Sequence, residues 1–232
     1  LPIYEFRKAC ADSAVLSLHG AAGTSAALGS RSSEIRAHCA QSLGLRVEET
    51  PWHVARDRFV RVAQASAAIA AVLVRFAREV IDLSRSEIAE VHEVEGELRG
   101  ASSTMPQKSN PILSEAVIGL GVSLQASATL MLRAAEAGHE RAAGEWQIEW
   151  RALPDTLVTL SAAAKTTLEL IMGLSVDVQQ MTKNLDNDYG LARAEDAMVN
   201  LAAQVGRDRA HEIVYRAAQR DRKSTRLNSS HI

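Results

Sequence analysis

The sequence predicts an all-α protein built as a long antiparallel helical bundle. Three observations carry this. Aromatic residues make up only 4% of the chain, while Ala, Leu and Val abound, which favours packed helices over a sandwich or barrel. Between residues 54 and 83, Phe59, Val62, Ile69, Leu73, Phe76, Val80 and Leu83 fall at spacings of three, four and seven. From Ala116 to Leu132 there are 17 residues without a charge.

In chain order, Tyr4 to Leu18 reads as the end of a helix, broken by His19-Gly20-Ala21-Ala22-Gly23-Thr24. Arg31 to Leu43 is a short helix, with Gly44 where a C-terminal stop is expected. Pro51-Trp52-His53 opens the next element, and His53 reads as an N-terminal helix residue in a packing or capping role or as a ligand-facing base. The 54–83 run would be roughly 45 Å long, so it needs neighbours of similar length. Ser86 to Leu98 is rich in Glu, including Glu93, and reads as a solvated approach to a loop. It lacks the paired-His spacing of a zinc helix, so no metal site is expected.

The segment Gly100 to Pro111 is small and polar and lies between two long helical patterns. Asn110 is a good N-cap and Pro111 suits a first helical position, so a helix is expected to start at Pro111. Its free N–H groups and partial positive charge suit an anion such as a substrate carboxylate. Lys108 adds a full positive charge, and Ser102 and Ser103 add hydroxyls. The uncharged helix to Glu136 is diluted by Gly, Ser, Thr and Gln and falls short of the roughly 20 apolar residues of a membrane span. It reads as a central bundle helix. A second long helix spans 142–174, and Pro154 should kink it or mark a junction. Helices joined by a short connection should pack antiparallel. Shorter helices follow, at Asp177–Leu185, Leu191–Val205 and Arg207–Arg220. The domains read as 1–174, 175–221 and a tail at 222–232. The tail has no helical apolar stripe and resembles read-through of non-native sequence.

The formal net charge of -2 gives no electrostatic support for a nucleic-acid partner. Cys10 and Cys39 are too few for a disulfide framework and suit a reducing cytoplasm.

The string Ser-Ser-Thr-Met-Pro-Gln-Lys-Ser-Asn-Pro at 102–111 closely resembles the signature loop of the fumarase/aspartase superfamily. Ala101 departs from it, standing where the family usually has glycine. Within the superfamily, the chain is most similar to the 3-carboxy-cis,cis-muconate cycloisomerase branch. That likeness rests on Gly20–Gly29, on Pro51-Trp52-His53 with Arg56-Asp57-Arg58, and on His139-Glu140-Arg141 with Trp146, Glu149-Trp150 and Leu153-Pro154. Adenylosuccinate lyase, which shares a His-Glu-Arg segment, is the runner-up. A non-catalytic assembly module is the alternative of another class.

The resemblance implies the L-aspartase-like fold, a three-domain subunit in a homotetramer whose active sites form where subunits meet. It places residues 1–174 in the central domain and 175–221 at the start of the C-terminal domain. The N-terminal domain and the motifs bearing the catalytic histidines would lie outside these residues. It also implies a cytoplasmic enzyme acting on a small polycarboxylate, with no cofactor, no nucleic acid and no membrane. Ser102 would handle the proton. Ser103, Met105, Lys108, Asn110 and Arg141 would bind substrate, Arg141 by gripping a carboxylate; an ion pair with Glu140 or Glu145 is its other reading. In adenylosuccinate lyase, two positions after His-Glu-Arg hold the nucleotide phosphate. Here they are Trp146 and Trp150, which share one helical face and carry no positive charge. A phosphate-free substrate is therefore expected.

Overall fold

The computed structural model describes residues 1–93, 110–187 and 193–228, with side chains described as far as Gln219. Eight α-helices appear among them: α1 (Pro2–Ser13), α2 (Ser32–Leu43), α3 (Asp57–Leu83), α4 (Ile112–Ala134), α5 (Glu145–Met172), α6 (Val178–Asp186), α7 (Ala194–Val205) and α8 (Arg207–Asn228). Val91–Glu93 (β1) and Leu174–Val176 (β2) form a two-stranded sheet. The chain divides into one compact unit of residues 1–85 and 91–175 and another of 86–90 and 176–232.

The first unit is a bundle of α3, α4 and α5, with α1 against α3. Gln64 on α3 donates to the Ala128 carbonyl on α4 at 3.2 Å, and Val74 meets Gly121 further along. Positions rise on one helix as they fall on the other, so the two run antiparallel. A Cβ on Gly121 would lie 2.3 Å from Val74 Cγ2. The helices can approach this closely only because residue 121 has no side chain. The core runs through Ala63, Ala70, Leu124, Ala128, Met131, Ala134, Ala152 and Leu160. Small alanines set a tight spacing, and Leu124, Met131 and Leu160 fill the gaps. Ser66, Thr156 and Thr167 are buried among them, each donating to the carbonyl four residues earlier. Their hydroxyls therefore need no partner across the bundle.

Several expected boundaries move. α1 stops at Ser13, because Val15 leaves the helix to bridge Arg46. α3 begins at Asp57, with Pro51–Arg56 a non-helical approach, so His53 is not in the helix. α5 begins at Glu145, after positive φ at His139, Ala142 and Gly144. It runs unbroken through Pro154, so the proline marks no junction. α2 ends as expected, with Gly44 at φ 67°. α7 begins at Ala194. α8 continues to Asn228, into the tail that has no helical apolar stripe.

α4 also differs from expectation. Its buried residues form one stripe, from Ser114 through Val117, Gly121, Leu124 and Ala128 to Met131 and Ala134. Val122, Leu130 and Leu132 on the other side are exposed, so among the described residues the helix is covered on one face only. By length and composition alone, α3 and α4 are apolar enough to cross a membrane.

In the second unit, Asp177 caps α6 by accepting from Gln180 N–H at 2.9 Å. Asn184 on α6 donates to the Ile88 carbonyl at 2.7 Å and to Glu90 at 2.9 Å, which ties residues 86–90 to this helix. α7 packs on α8.

Candidate functional site

The start of α4 was expected to hold a free anion site; instead the chain fills it with its own carboxylate. Pro111 is the N-cap and makes no side-chain cap bond. Glu93, only 8% exposed, reaches across from β1. Its Oε2 accepts from Leu113 N–H at 3.0 Å; its Oε1 accepts from Ser114 N–H at 2.9 Å and from Ser114 Oγ at 2.6 Å. Ile112 N–H goes to the Asn110 carbonyl and Glu115 N–H to the Pro111 carbonyl. The first turn therefore has no spare donor for a substrate. A carboxylate held within the chain satisfies the helix end without waiting for a ligand. Glu93 was expected on a solvated face; the same three bonds explain its burial.

Of the residues assigned to the signature loop, Ser102, Ser103, Met105 and Lys108 lie outside the described residues. Asn110 is described and is half-buried at the foot of α4.

The fold brings together three other segments that are far apart in the sequence. The 20–24 turn, the Pro51–Val54 approach and the His139–Arg141 turn line a cavity of about 120 Å³. Gly23 has φ 75°, and a Cβ there would lie 3.3 Å from Pro51 and 3.4 Å from the Glu140 carboxylate. Glycine is thus required both by the backbone and by the close approach. His19, 6% exposed, also lines this cavity. Burial and the Arg36 guanidinium hold its imidazole below the usual value.

Arg141 is exposed and contacts His53: Nη1 lies 3.2 Å from His53 Nε2. It pairs with neither Glu140 nor Glu145, so the ion-pair reading of Arg141 is replaced by a contact with an imidazole. Arginine can only donate, so Nε2 must be the acceptor and the His53 proton sits on Nδ1. Desolvation first, then Arg141 and Arg56, push the His53 pKa down, and Glu149 opposes them. The imidazole is thereby kept neutral, as the contact with Arg141 requires.

Trp146 meets the His53 ring edge-on at 4.5 Å, and Trp150 meets Trp146 at 5.2 Å. Trp146 is half-buried and Trp150 is 59% exposed, so the pair is not a core cluster. Beneath them, Arg56 forms a buried fork on Glu149, with Nε to Oε2 at 2.7 Å and Nη2 to Oε1 at 2.5 Å. Arg56 Nη1 also donates to the His53 carbonyl at 2.9 Å. Its guanidinium lies 4.5 Å from the Phe59 ring and 5.6 Å from Trp52. The Arg56–Glu149 pair therefore ties the segment bearing His53 to the helix bearing Trp146. The sequence marks Arg56 and Glu149 as motif residues, but nothing in it pairs two positions 93 apart.

Comparison with known proteins gives a consistent neighbourhood. The sequence model of a family described as lyase matches residues 3–126. A 3-carboxy-cis,cis-muconate cycloisomerase of Pseudomonas aeruginosa is 38% identical over 89% of this chain and 45% of its own length. An N-acetyl-S-(2-succino)cysteine lyase of Dickeya dadantii is 37% identical over 85% of this chain and 44% of its own. The crystal structure of 3-carboxy-cis,cis-muconate lactonizing enzyme from Pseudomonas putida superposes with a TM-score of 0.81 at 34% identity, over 92% of this chain and 47% of that one. The chain spans about half the length of the curated relatives it matches.

Proposed function

The chain belongs to the lyase family, and from that premise we propose that the whole protein interconverts 3-carboxy-cis,cis-muconate and 4-carboxymuconolactone. The observation that carries this reading is the wall beside Arg141. There Trp146 and Trp150 stack edge to face and Trp146 packs on His53. Indoles supply bulk and an apolar face where a phosphate site would need a cationic fork. Such a wall favours a small, unsaturated polycarboxylate over a nucleotide.

In this reading, Ser102 handles the proton at the carbon next to a carboxylate, and Ser103 and Met105 line the substrate. Lys108 and Asn110 stabilise the charge that develops on that carboxylate as an enediolate-like species; fixed donors at developing charge are usually the largest catalytic term. Arg141 holds a second carboxylate. No cofactor takes part. Residues 1–174 belong to the central bundle domain and 175–221 to the start of the C-terminal one. Val72, Val122, Leu130, Val158, Leu168 and Ile171 are exposed on α3, α4 and α5. Exposed apolar residues on all three long helices support a homotetramer joined through them.

The test is to assay the whole protein with 3-carboxymuconate and with adenylosuccinate, following each by absorbance. Turnover of the muconate is expected, and Ser102→Ala should lower it by about 10²–10⁴-fold. Efficient cleavage of adenylosuccinate, or full turnover by the Ser102→Ala variant, would overturn the reading.

A further inference from the structure

The Arg56–Glu149 pair is buried at both ends, with Arg56 7% exposed and Glu149 9%. Burying two opposite charges costs desolvation that largely offsets their attraction, so such a pair adds little net stability over two apolar side chains. What it supplies is direction. A guanidinium is planar and presents its donors in a fixed fork. Here Nε and Nη2 donate to the two Glu149 oxygens, and Nη1 donates to the His53 carbonyl at 2.9 Å. The Phe59 ring at 4.5 Å and the Trp52 ring at 5.6 Å flank the guanidinium. One rigid group therefore fixes α5 at Glu149 and the backbone at His53.

The contacts close into a circuit. Three residues back along α5 from Glu149 stands Trp146, whose indole meets the His53 imidazole edge-on at 4.5 Å. His53 is thus held at its carbonyl by Arg56 and at its ring by Trp146. Its Nε2 is left to face Arg141 Nη1 at 3.2 Å. Arg141 lies in the turn before α5, between positive φ at His139 and Ala142, and is exposed. It makes no ion pair among the described residues, so the contact with His53 is what gives a long, solvated side chain a preferred place.

We infer that Arg56 and Glu149 are positioning residues for the proposed reaction: their buried fork clamps His53 against Trp146, and the clamped imidazole sets where the Arg141 guanidinium stands. The inference rests on the reading above, in which Arg141 holds a substrate carboxylate, and adds to it two residues that never touch the substrate. An unaimed arginine gives up rotamer freedom when it grips a ligand, whereas an aimed one has given it up on folding. Arg141 holds the carboxylate in the ground state and in the transition state alike, so the loss of aim falls on KM and leaves kcat.

The test uses the whole protein, assayed with 3-carboxymuconate and titrated by calorimetry with tricarballylate, an unreactive tricarboxylate. Arg56→Met with Glu149→Leu replaces the fork by apolar side chains and should keep the fold, which its urea midpoint checks. This double exchange should raise KM about three- to tenfold, the worth of one hydrogen bond, with kcat changed by less than about twofold. Tricarballylate should weaken by the same factor. Arg56→Lys keeps a charge for Glu149 but not the fork, and should raise KM in the same way; a pair needed only for charge balance would tolerate it. Arg141→Gln should raise KM about tenfold to a hundredfold, the worth of a hydrogen bond to a charged group. In the Arg141→Gln background the double exchange should add less than about twofold, because the group it aims is gone. A merely structural pair would cost the same with or without Arg141. Parent-like KM and tricarballylate affinity after the double exchange, parent-like behaviour of Arg56→Lys, or full additivity with Arg141→Gln would overturn the inference. Tricarballylate affinities that follow this cycle without muconate turnover would leave the positioning standing and sink only the reaction. Muconate turnover with a KM that ignores the double exchange would sink only the positioning.

Discussion

Replacing Glu93 by Ala should destabilise the bundle more than any other single change at the surface end of α4. The carboxylate is 8% exposed and accepts three bonds, from Leu113 N–H, Ser114 N–H and Ser114 Oγ. Ser114 itself is fully buried, so water cannot take over its two bonds without opening the helix end. A lost N-cap costs about 1 kcal/mol, and a buried donor left unpaired costs about 1–3 kcal/mol. The negative charge at the positive end of the helix adds up to about 2 kcal/mol in a partly buried geometry. These contributions share the same three contacts and do not add, so a loss of about 2–4 kcal/mol is expected. Glu93→Gln keeps one acceptor oxygen but removes the charge, and should recover about half of that. Ser114→Ala removes one donor and leaves two bonds, so it should cost about 1 kcal/mol. Urea unfolding followed by tryptophan fluorescence reads the relevant unit, because Trp52, Trp146 and Trp150 all lie in residues 1–85 or 91–175. The double variant should show coupling, since both changes remove the same contact. A Glu93→Ala chain within about 0.5 kcal/mol of the parent at an unchanged urea slope would refute the argument. The cap would then be a bond seen in the fold but worth nothing to it.

The Arg56–Glu149 fork should behave as a buried pair. Either Arg56→Ala or Glu149→Ala should cost about 3–5 kcal/mol by leaving an uncompensated charge, while Arg56→Met with Glu149→Leu should cost far less; equal losses in all three by urea unfolding would deny the pair its burial. Gly121→Ala places a methyl where Val74 Cγ2 already sits, so it should cost about 1–3 kcal/mol, largely recovered by Val74→Ala; a neutral melting curve for Gly121→Ala would show that the helices are not that close. His19 and His53 both have folded pKa values held below the unfolded value of about 6.5. The neutral form is therefore favoured on folding, and its contribution is complete above about pH 6.5 and is lost as pH falls through the lower folded values. Urea midpoints measured from about pH 8 to about pH 5 should fall, and should fall less in His19→Phe and His53→Gln; a midpoint rising toward low pH would reverse the assignment.

The helices and their rough extents were legible because periodicity is a local property. Apolar residues three and four apart face the same side wherever the chain goes, and α3 shows this along its whole length. Gly44 at the stop of α2 is an equally local signal. The resemblance carried by residues 102–111 was equally local, since it depends on an ordered string rather than on folding. What local pattern could not supply was which charged group meets which. Asn110-Pro111 has the composition of a helix start with spare donors, and a sequence offers no way to see that Glu93 returns to fill it. Arg141 sits between two glutamates in the chain at 140 and 145, yet its partner is His53, 88 residues away. The wall of Trp146 and Trp150 follows from a spacing of four on a helix, but its neighbour His53 does not. Propensity and period act over a few residues. Pairing of charges depends on where the long helices return, and that return is set by the close contact of Gly121 with Val74 and by the alanine-lined core.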